Sequence, residues 1–316
     1  MDRFIKKKFL LSIVVVVLIT CWQLGLHSSL YSNVITDEYE DLLLFQIFQE
    51  SDERIVPFLR REFAREIVRF QFEMKSFPDI EVNIQIAPDK KTYEAWSAEK
   101  NIRVHNNIGF ADLRNSQIFI QNPRFIRGTR KIINLLLHEY IHIFIHYHFD
   151  DAPLWFHEGL AWFYSENISL NQTFQFMANN AFHKNFLLIK YAYSYPDNNS
   201  DIEPYYFQAA MLARMLNDDY KTQLQSLFDF SALNQSFTEA FMNSFYITDV
   251  DFLRFFEIEL KNFFRLNIYK GLVLMTWMCF PIFLIIAKIK KNHKTRKILA
   301  EWEMEEEFLS QESSNE

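Results

Sequence analysis

His138-Glu139-Tyr140-Ile141-His142 is the stretch that decides how this chain is read, together with Trp155-Phe156-His157-Glu158-Gly159-Leu160-Ala161-Trp162 shortly after it. The first lies in an apolar run, 131–148, that reads as a helix. Two histidines four apart on a helix share one face, with Cβ atoms about 5–6 Å apart, so both imidazoles can reach one Zn²⁺. Glu139 follows the first histidine directly, where its carboxylate can take a proton from a water activated by the metal. A catalytic zinc usually has three protein ligands and one open position. Glu158, on the next predicted helix and followed by the small Gly159, is the preferred third ligand. His146, His148 and His157 are the competitors. His148 falls where an H-E-x-x-H-x-x-G-x-x-H pattern places a third histidine, but Ile145 stands in place of the helix-breaking glycine. His146 is a further turn along the same helix, and His157 faces about 100° away from Glu158. His146, His148, His157 and His183 are read as surface or supporting residues.

Working outward, the chain has an apolar segment near each end. The first, 9–26, follows Arg3, Lys6, Lys7 and Lys8; the second, 268–287, precedes Lys288, Lys290, Lys291, Lys294, Arg296 and Lys297. About 20 apolar residues cross a bilayer as a helix. Basic residues cluster at the outer flank of each, which places both termini in the cytoplasm and the intervening region on the other side. A cleaved signal peptide is the alternative for the first segment, but no Ala-x-Ala-like site follows it. The expected organisation is a cytoplasmic N-terminus (1–8), a transmembrane helix (9–27), a helical region (28–79), a catalytic domain (80–266), a transmembrane helix (267–289) and a charged cytoplasmic tail (290–316). The acidic end of that tail is expected to be disordered.

Both cysteines, Cys21 and Cys279, fall in the apolar segments, so the middle region has neither disulfide nor thiolate ligand. With 34 phenylalanines the chain can build a large apolar core, and a net charge of −7 offers nucleic acid no basic face. The region 37–77 reads as helices. Alternating Ile80, Val82, Ile84 and Ile86 read as a half-buried strand, 91–100 as a short helix, and 109–111 and 117–121 as further strands. The last of these is a candidate to bind substrate by strand addition. A loop at 191–204 precedes three helices, 205–216, 221–230 and 238–264. The fold class is α+β: a small sheet followed by helices.

These residues resemble the peptidase-MA-like gluzincins, zinc metallopeptidases in which H-E-x-x-H is followed by a W-[LF]-x-E-G-L-A segment. Gly109-Phe110-Ala111, Tyr206-Phe207-Gln208-Ala209 and the region 237–264 are similar to further stretches of that family, and the likeness covers about 80–262. It implies a thermolysin-like zincin domain with one Zn²⁺ per chain held by His138, His142 and Glu158, hydrolysing peptide bonds of a peptide or protein substrate. Glu139 would be the general base, and Tyr206 is the candidate for stabilising the oxyanion. The sequence departs from the family at Trp162, where an acid often supports a metal-binding histidine. A backbone carbonyl or Asn134 would have to replace it. Two other functions fit the same residues: a gluzincin-like domain without activity that binds a peptide or partner, and an intramembrane metalloprotease, since the metal helix is itself apolar.

Overall fold

The computed structural model describes residues 39–47, 54–100, 108–126, 128–165, 187–231 and 235–313. The first apolar segment, the N-terminus before it and His183 lie outside the described residues. The chain divides into two compact units, Met1–Phe256 and Glu257–Glu316.

In the first unit, β1 (Leu43–Ile47), α1 (Val56–Met74), β2 (Val82–Ile86), α2 (Lys90–Glu99), β3 (Gly109–Asp112), β4 (Gln117–Ile120) and α3 (Thr129–His148) are followed by helices. These are α4 (Leu154–Ser165), α5 (Asn199–Asp219), α6 (Lys221–Ser231), α7 (Phe237–Phe245) and the start of α8 (Asp249–Ser313). The expected α+β architecture, a small sheet and then helices, is what forms. The strands run in the order β1-β2-β4-β3, with β1, β2 and β4 parallel and β3 antiparallel to β4. In β2 the alternation is realised directly: Val82, Ile84 and Ile86 are buried while Asn83 and Gln85 are partly exposed.

Three expectations are corrected. Residues 43–47 form a strand rather than part of a helix, paired in register with β2 from Leu43–Val82 to Ile47–Ile86. Its backbone is satisfied by a partner distant in sequence, which outweighs the local pattern. The strand proposed for substrate addition, β4, is interior, with β2 on one side and β3 on the other. Its hydrogen-bonding groups are therefore committed, and the exposed edge beside it belongs to β3. The region 238–264 is not one helix. A capping box between Ser236 and Glu239 opens α7, and Tyr246 at φ 59° ends it. The Asp251 N–H then donates to Thr248 Oγ1 at 3.2 Å as the next helix begins.

Helix α3 sits between α1 and the helices that follow. Gly128, at φ 98°, turns the chain into α3, a backbone conformation that needs the missing Cβ. On one side α1 packs through Phe63 on Tyr140 and Phe70 on Phe144, with ring centroids 6.1 and 5.0 Å apart. Gln71 Nε2 also donates to the Tyr140 hydroxyl at 2.7 Å and to the Pro78 carbonyl at 3.3 Å. The N-terminal β1 and α1 thus share sheet and core with β2 and α3. At the other end of α3, Phe144, Phe149, Trp155, Phe156, Phe228, Phe237 and Phe241 form an aromatic core. This is where much of the phenylalanine content goes, and dense aromatic packing stabilises a unit that has no disulfide.

The second unit is helical. Among the described residues one helix, Tyr269–Ala300, is long and apolar enough to cross a membrane, and none of it is buried. The acidic stretch expected to be disordered continues the helix to Ser313; Glu, Met, Leu and Gln are good helix formers.

Candidate metal centre

His138 and His142 stand one turn apart on α3, with ring centroids 4.9 Å apart and planes at 78°. Glu158, on the first half of α4, reaches them from the facing helix and is 2% exposed. Its Oε2 is 3.7 Å from His138 Nε2 and its Oε1 is 3.9 Å from His142 Nε2. One ligand atom from each of the three lies within 4.8 Å of the other two, which makes them a group able to hold a metal ion. Two observations test that fit. Glu158 Oε2 is fully buried and accepts no hydrogen bond from the described residues. A buried carboxylate oxygen without a partner is costly, and an ion among the three groups would satisfy it. The donor set of two imidazoles and one carboxylate is also one that Zn²⁺ takes in hydrolytic sites, with a position left open. The residues fit the ion.

Ser165, two turns beyond Glu158 on α4, fixes the tautomer of His138. Its hydroxyl proton goes to the Ala161 carbonyl at 2.6 Å, so towards the His138 ring it can only accept. Nδ1, 3.3 Å away, must then carry the hydrogen, leaving the Nε2 lone pair free on the side of Glu158. This is the support that the sequence left to Asn134 or a backbone carbonyl. Trp162 serves elsewhere, with its ring stacked on that of Tyr206, 5.3 Å between centroids and 5° from parallel.

Burial sets the protonation states. It lowers His138 to about 4 and takes His142 well below its ordinary value, with further lowering from the neighbouring His138 and His157. Neutral imidazoles are what a metal needs. Burial raises Glu139 to about 8, assisted by the charge of Glu158 and opposed by a hydrogen bond from the Ala111 backbone. It also raises Glu158 to about 7, opposed by a hydrogen bond from Tyr195. A divalent cation between them would reverse that tendency, because it favours the charged carboxylates. The Ala111 contact also places the edge strand β3 against Glu139.

The competing histidines are elsewhere. His148 is held on both ring nitrogens, Nε2 by Ser76 Oγ at 2.9 Å and Nδ1 by Ser231 Oγ at 2.6 Å, and is packed on Phe144 and Phe228. It is a part-buried residue with no lone pair to spare for a metal. His157 is buried, with its ring 5.6 Å from that of His142, so it backs the site rather than facing solvent. Gly159 does permit a close approach, but between α4 and α5 rather than α3 and α4. A Cβ there would lie 2.6 Å from the Ala209 carbonyl oxygen. The glycine therefore sets how α4 seats on α5, and through it where Glu158 points.

Tyr206 is half-buried, and its acidity is lowered by burial and then by the charges of Glu158 and Glu139, which puts its hydroxyl in their field. Tyr205 next to it is core, its hydroxyl 3.2 Å from the Tyr191 carbonyl. Tyr195 was not anticipated. It sits in the irregular segment before α5, and its hydroxyl donates to Glu158 Oε1 at 2.6 Å. Gln208 of the Tyr206-Phe207-Gln208-Ala209 stretch is buried, and its Oε1 accepts the Leu187 N–H at 2.9 Å, tying that same segment to α5. The helix begins at Asn199 and not at 205, capped by the Asn198 side chain on the Ser200 N–H, with Pro204 inside it.

The site thus combines a His-His-Glu metal-binding group with a fourth side chain, Glu139, that is a neighbour of the ligands and not one of them. No family model matches the chain, and no curated protein matches it either.

Proposed function

We propose that the protein is a zinc-dependent peptidase of gluzincin type, anchored in a membrane and acting on a peptide or protein outside the cytoplasm. The observation that carries the reading is the convergence of His138, His142 and the buried, unpartnered oxygen of Glu158, with Glu139 alongside. His138, His142 and Glu158 would hold the ion, one per chain. Zn²⁺ bound there supplies Lewis acidity, polarising the scissile carbonyl and bringing the pKa of a water towards ~7. Glu139 takes the proton of the attacking water and delivers it to the leaving amine. Tyr206, braced by Trp162, donates to the oxyanion as charge develops there. The edge strand β3, with Ala111 bonded to Glu139, takes over from β4 as the place where an extended substrate chain would lie.

Trp162, which favoured a domain without activity, loses that weight: the support it was expected to lack is provided by Ser165. The intramembrane reading is disfavoured because α3 is enclosed by protein, with Ile132, Leu136, Leu137, Ile141, Phe144 and Ile145 all at or below 3% exposed. Topology with both termini cytoplasmic, and a second transmembrane helix at 9–27, belong to the proposal through the flanking basic residues. The test is hydrolysis of a peptide library by the full-length chain with and without a chelator. Cleavage that stops with chelator and returns with Zn²⁺ supports the reading. Full zinc occupancy with no cleavage of any peptide would favour the binding module instead.

A further inference from the structure

Glu158 is a carboxylate with two different oxygens. Oε1 accepts the Tyr195 hydroxyl at 2.6 Å, and Oε2 is buried with no hydrogen-bond partner among the described residues. Tyr195 is unusual in its placement. Its residue is 54% exposed, yet its hydroxyl reaches into the site to touch a side chain that is 2% exposed. The ring therefore stands at the rim and only the oxygen enters. The segment carrying it is strapped down on both sides. The Leu154 N–H, at the start of α4, donates to the Ala192 carbonyl at 2.8 Å, and the Tyr205 hydroxyl donates to the Tyr191 carbonyl at 3.2 Å. The Leu187 N–H is held by Gln208, and Pro196, next to Tyr195, is buried. These straps connect the segment to α4, which bears Glu158, and to α5, which bears Tyr206. The Tyr206 ring lies beside that of Tyr195, with centroids 6.5 Å apart.

We propose that Tyr195 is a positioning residue for the metal ligand Glu158: by occupying Oε1 it commits the carboxylate to offering Oε2 alone to an ion held with His138 and His142. The inference rests on the metal-site reading above. A carboxylate free to turn can present one oxygen or both. One hydroxyl fixed on one oxygen removes that choice, keeps the coordination number low and leaves the remaining position open for substrate. Glu158 has the same need for orientation as His138. The helix supplies Ser165 for the histidine, and the loop supplies Tyr195 for the carboxylate. Oε1 also lies 3.9 Å from His142 Nε2, so the Tyr195 hydroxyl decides which of the two oxygens is left to the ion.

The experiment compares the full-length wild type with Tyr195→Phe and, as a control from the same exposed loop, Tyr193→Phe. Each is titrated with Co²⁺ alone, by visible absorption, and its affinity is measured by competition with a chelator. Tyr195→Phe should bind Co²⁺ about 10–100-fold more weakly than wild type. Its absorption band should be weaker, because Glu158 now turns to give both oxygens and coordination rises above four. Tyr193→Phe should match wild type. Phenylalanine keeps the half-exposed ring, so folding is not at stake. A Tyr195→Phe protein with wild-type affinity and band overturns the proposal, and so does tighter binding, which would mean that Tyr195 competes with the ion for Glu158. A wild type that takes up no Co²⁺ would instead overturn the metal-site reading itself, a result separable from failure confined to Tyr195→Phe.

Discussion

Two parts of one helix, α3, carry histidines in opposite roles. In its middle, His138 and His142 turn Nε2 towards the Glu158 carboxylate, His138 facing its unpartnered oxygen and backed by the Ser165 hydroxyl. In its last turn, His148 has both nitrogens occupied by serine hydroxyls and lies among phenylalanines. Sequence spacing alone offers all three to a metal. What separates them is the accounting of lone pairs: a histidine whose two nitrogens are satisfied by protein is a structural residue, and one that keeps a nitrogen facing an acceptor with no donor is a ligand. The middle of the helix should therefore lose chemistry when mutated and keep its stability. The end should do the reverse.

The largest effect expected is in the middle. Glu139→Gln should cut peptide hydrolysis by ~10²–10⁴-fold while zinc content and Tm stay near wild type, because it removes a proton acceptor and not a ligand. Assays of both quantities on the same preparation check this, and loss of zinc in that variant would make Glu139 part of the ligand set. Tyr206→Phe comes next. As an oxyanion donor its loss should lower kcat and kcat/KM together by ~10²–10³-fold, with KM nearly unchanged. An unchanged rate would leave Tyr206 as a partner of Tyr195 only. Tyr205→Phe, by contrast, should cost about 1 kcal/mol of stability and leave the rate near wild type, because its hydroxyl donates to the Tyr191 carbonyl in the core.

Gly159→Ala should blur the comparison by affecting both properties. The added methyl meets the Ala209 carbonyl oxygen at 2.6 Å, so α4 must move off α5 and carry Glu158 with it. A loss of ~1–3 kcal/mol in denaturant unfolding, with weakened metal binding, is the expected outcome. Unaltered stability would mean that the helices adjust freely. The smallest effect belongs to the end of α3. Burial lowers His148 to about 4 from an ordinary 6.5, so the unfolded chain takes up that proton first on acidification. Its stabilising contribution is complete above pH 6.5, declines as pH falls and is gone once pH has passed below about 4. His148→Gln should be less stable at pH 7 by ~1 kcal/mol and show a shallower loss of stability between those limits. Parallel pH profiles for the two proteins would remove His148 as the group responsible.

What could be read from the sequence was whatever depends on local spacing. The i, i+4 histidines, the alternating strand at 82–86 and the box from Ser236 to Glu239 are written within a few residues of one another. Ser165 was in principle legible, seven residues past Glu158 and hence near the same face of α4. The rest depends on distant partners. Residues 43–47 become a strand because β2 lies beside them, 39 positions along the chain at each matched pair. Tyr246 ends α7 at a positive φ that nothing in a tyrosine announces. Tyr195 lies in a segment without periodicity, and only the straps from Leu154, Tyr205 and Gln208 bring its hydroxyl to Glu158.

The most direct test of the metal centre is metal content in three full-length proteins purified without chelator: wild type, Glu158→Ala and His148→Gln. About one zinc per chain is predicted in wild type and in His148→Gln, and close to none in Glu158→Ala, where the ion has lost one of its three protein ligands. Full zinc in Glu158→Ala together with its loss from His148→Gln would contradict this assignment, by placing the ligand at the end of the helix where both ring nitrogens are now bound by serines.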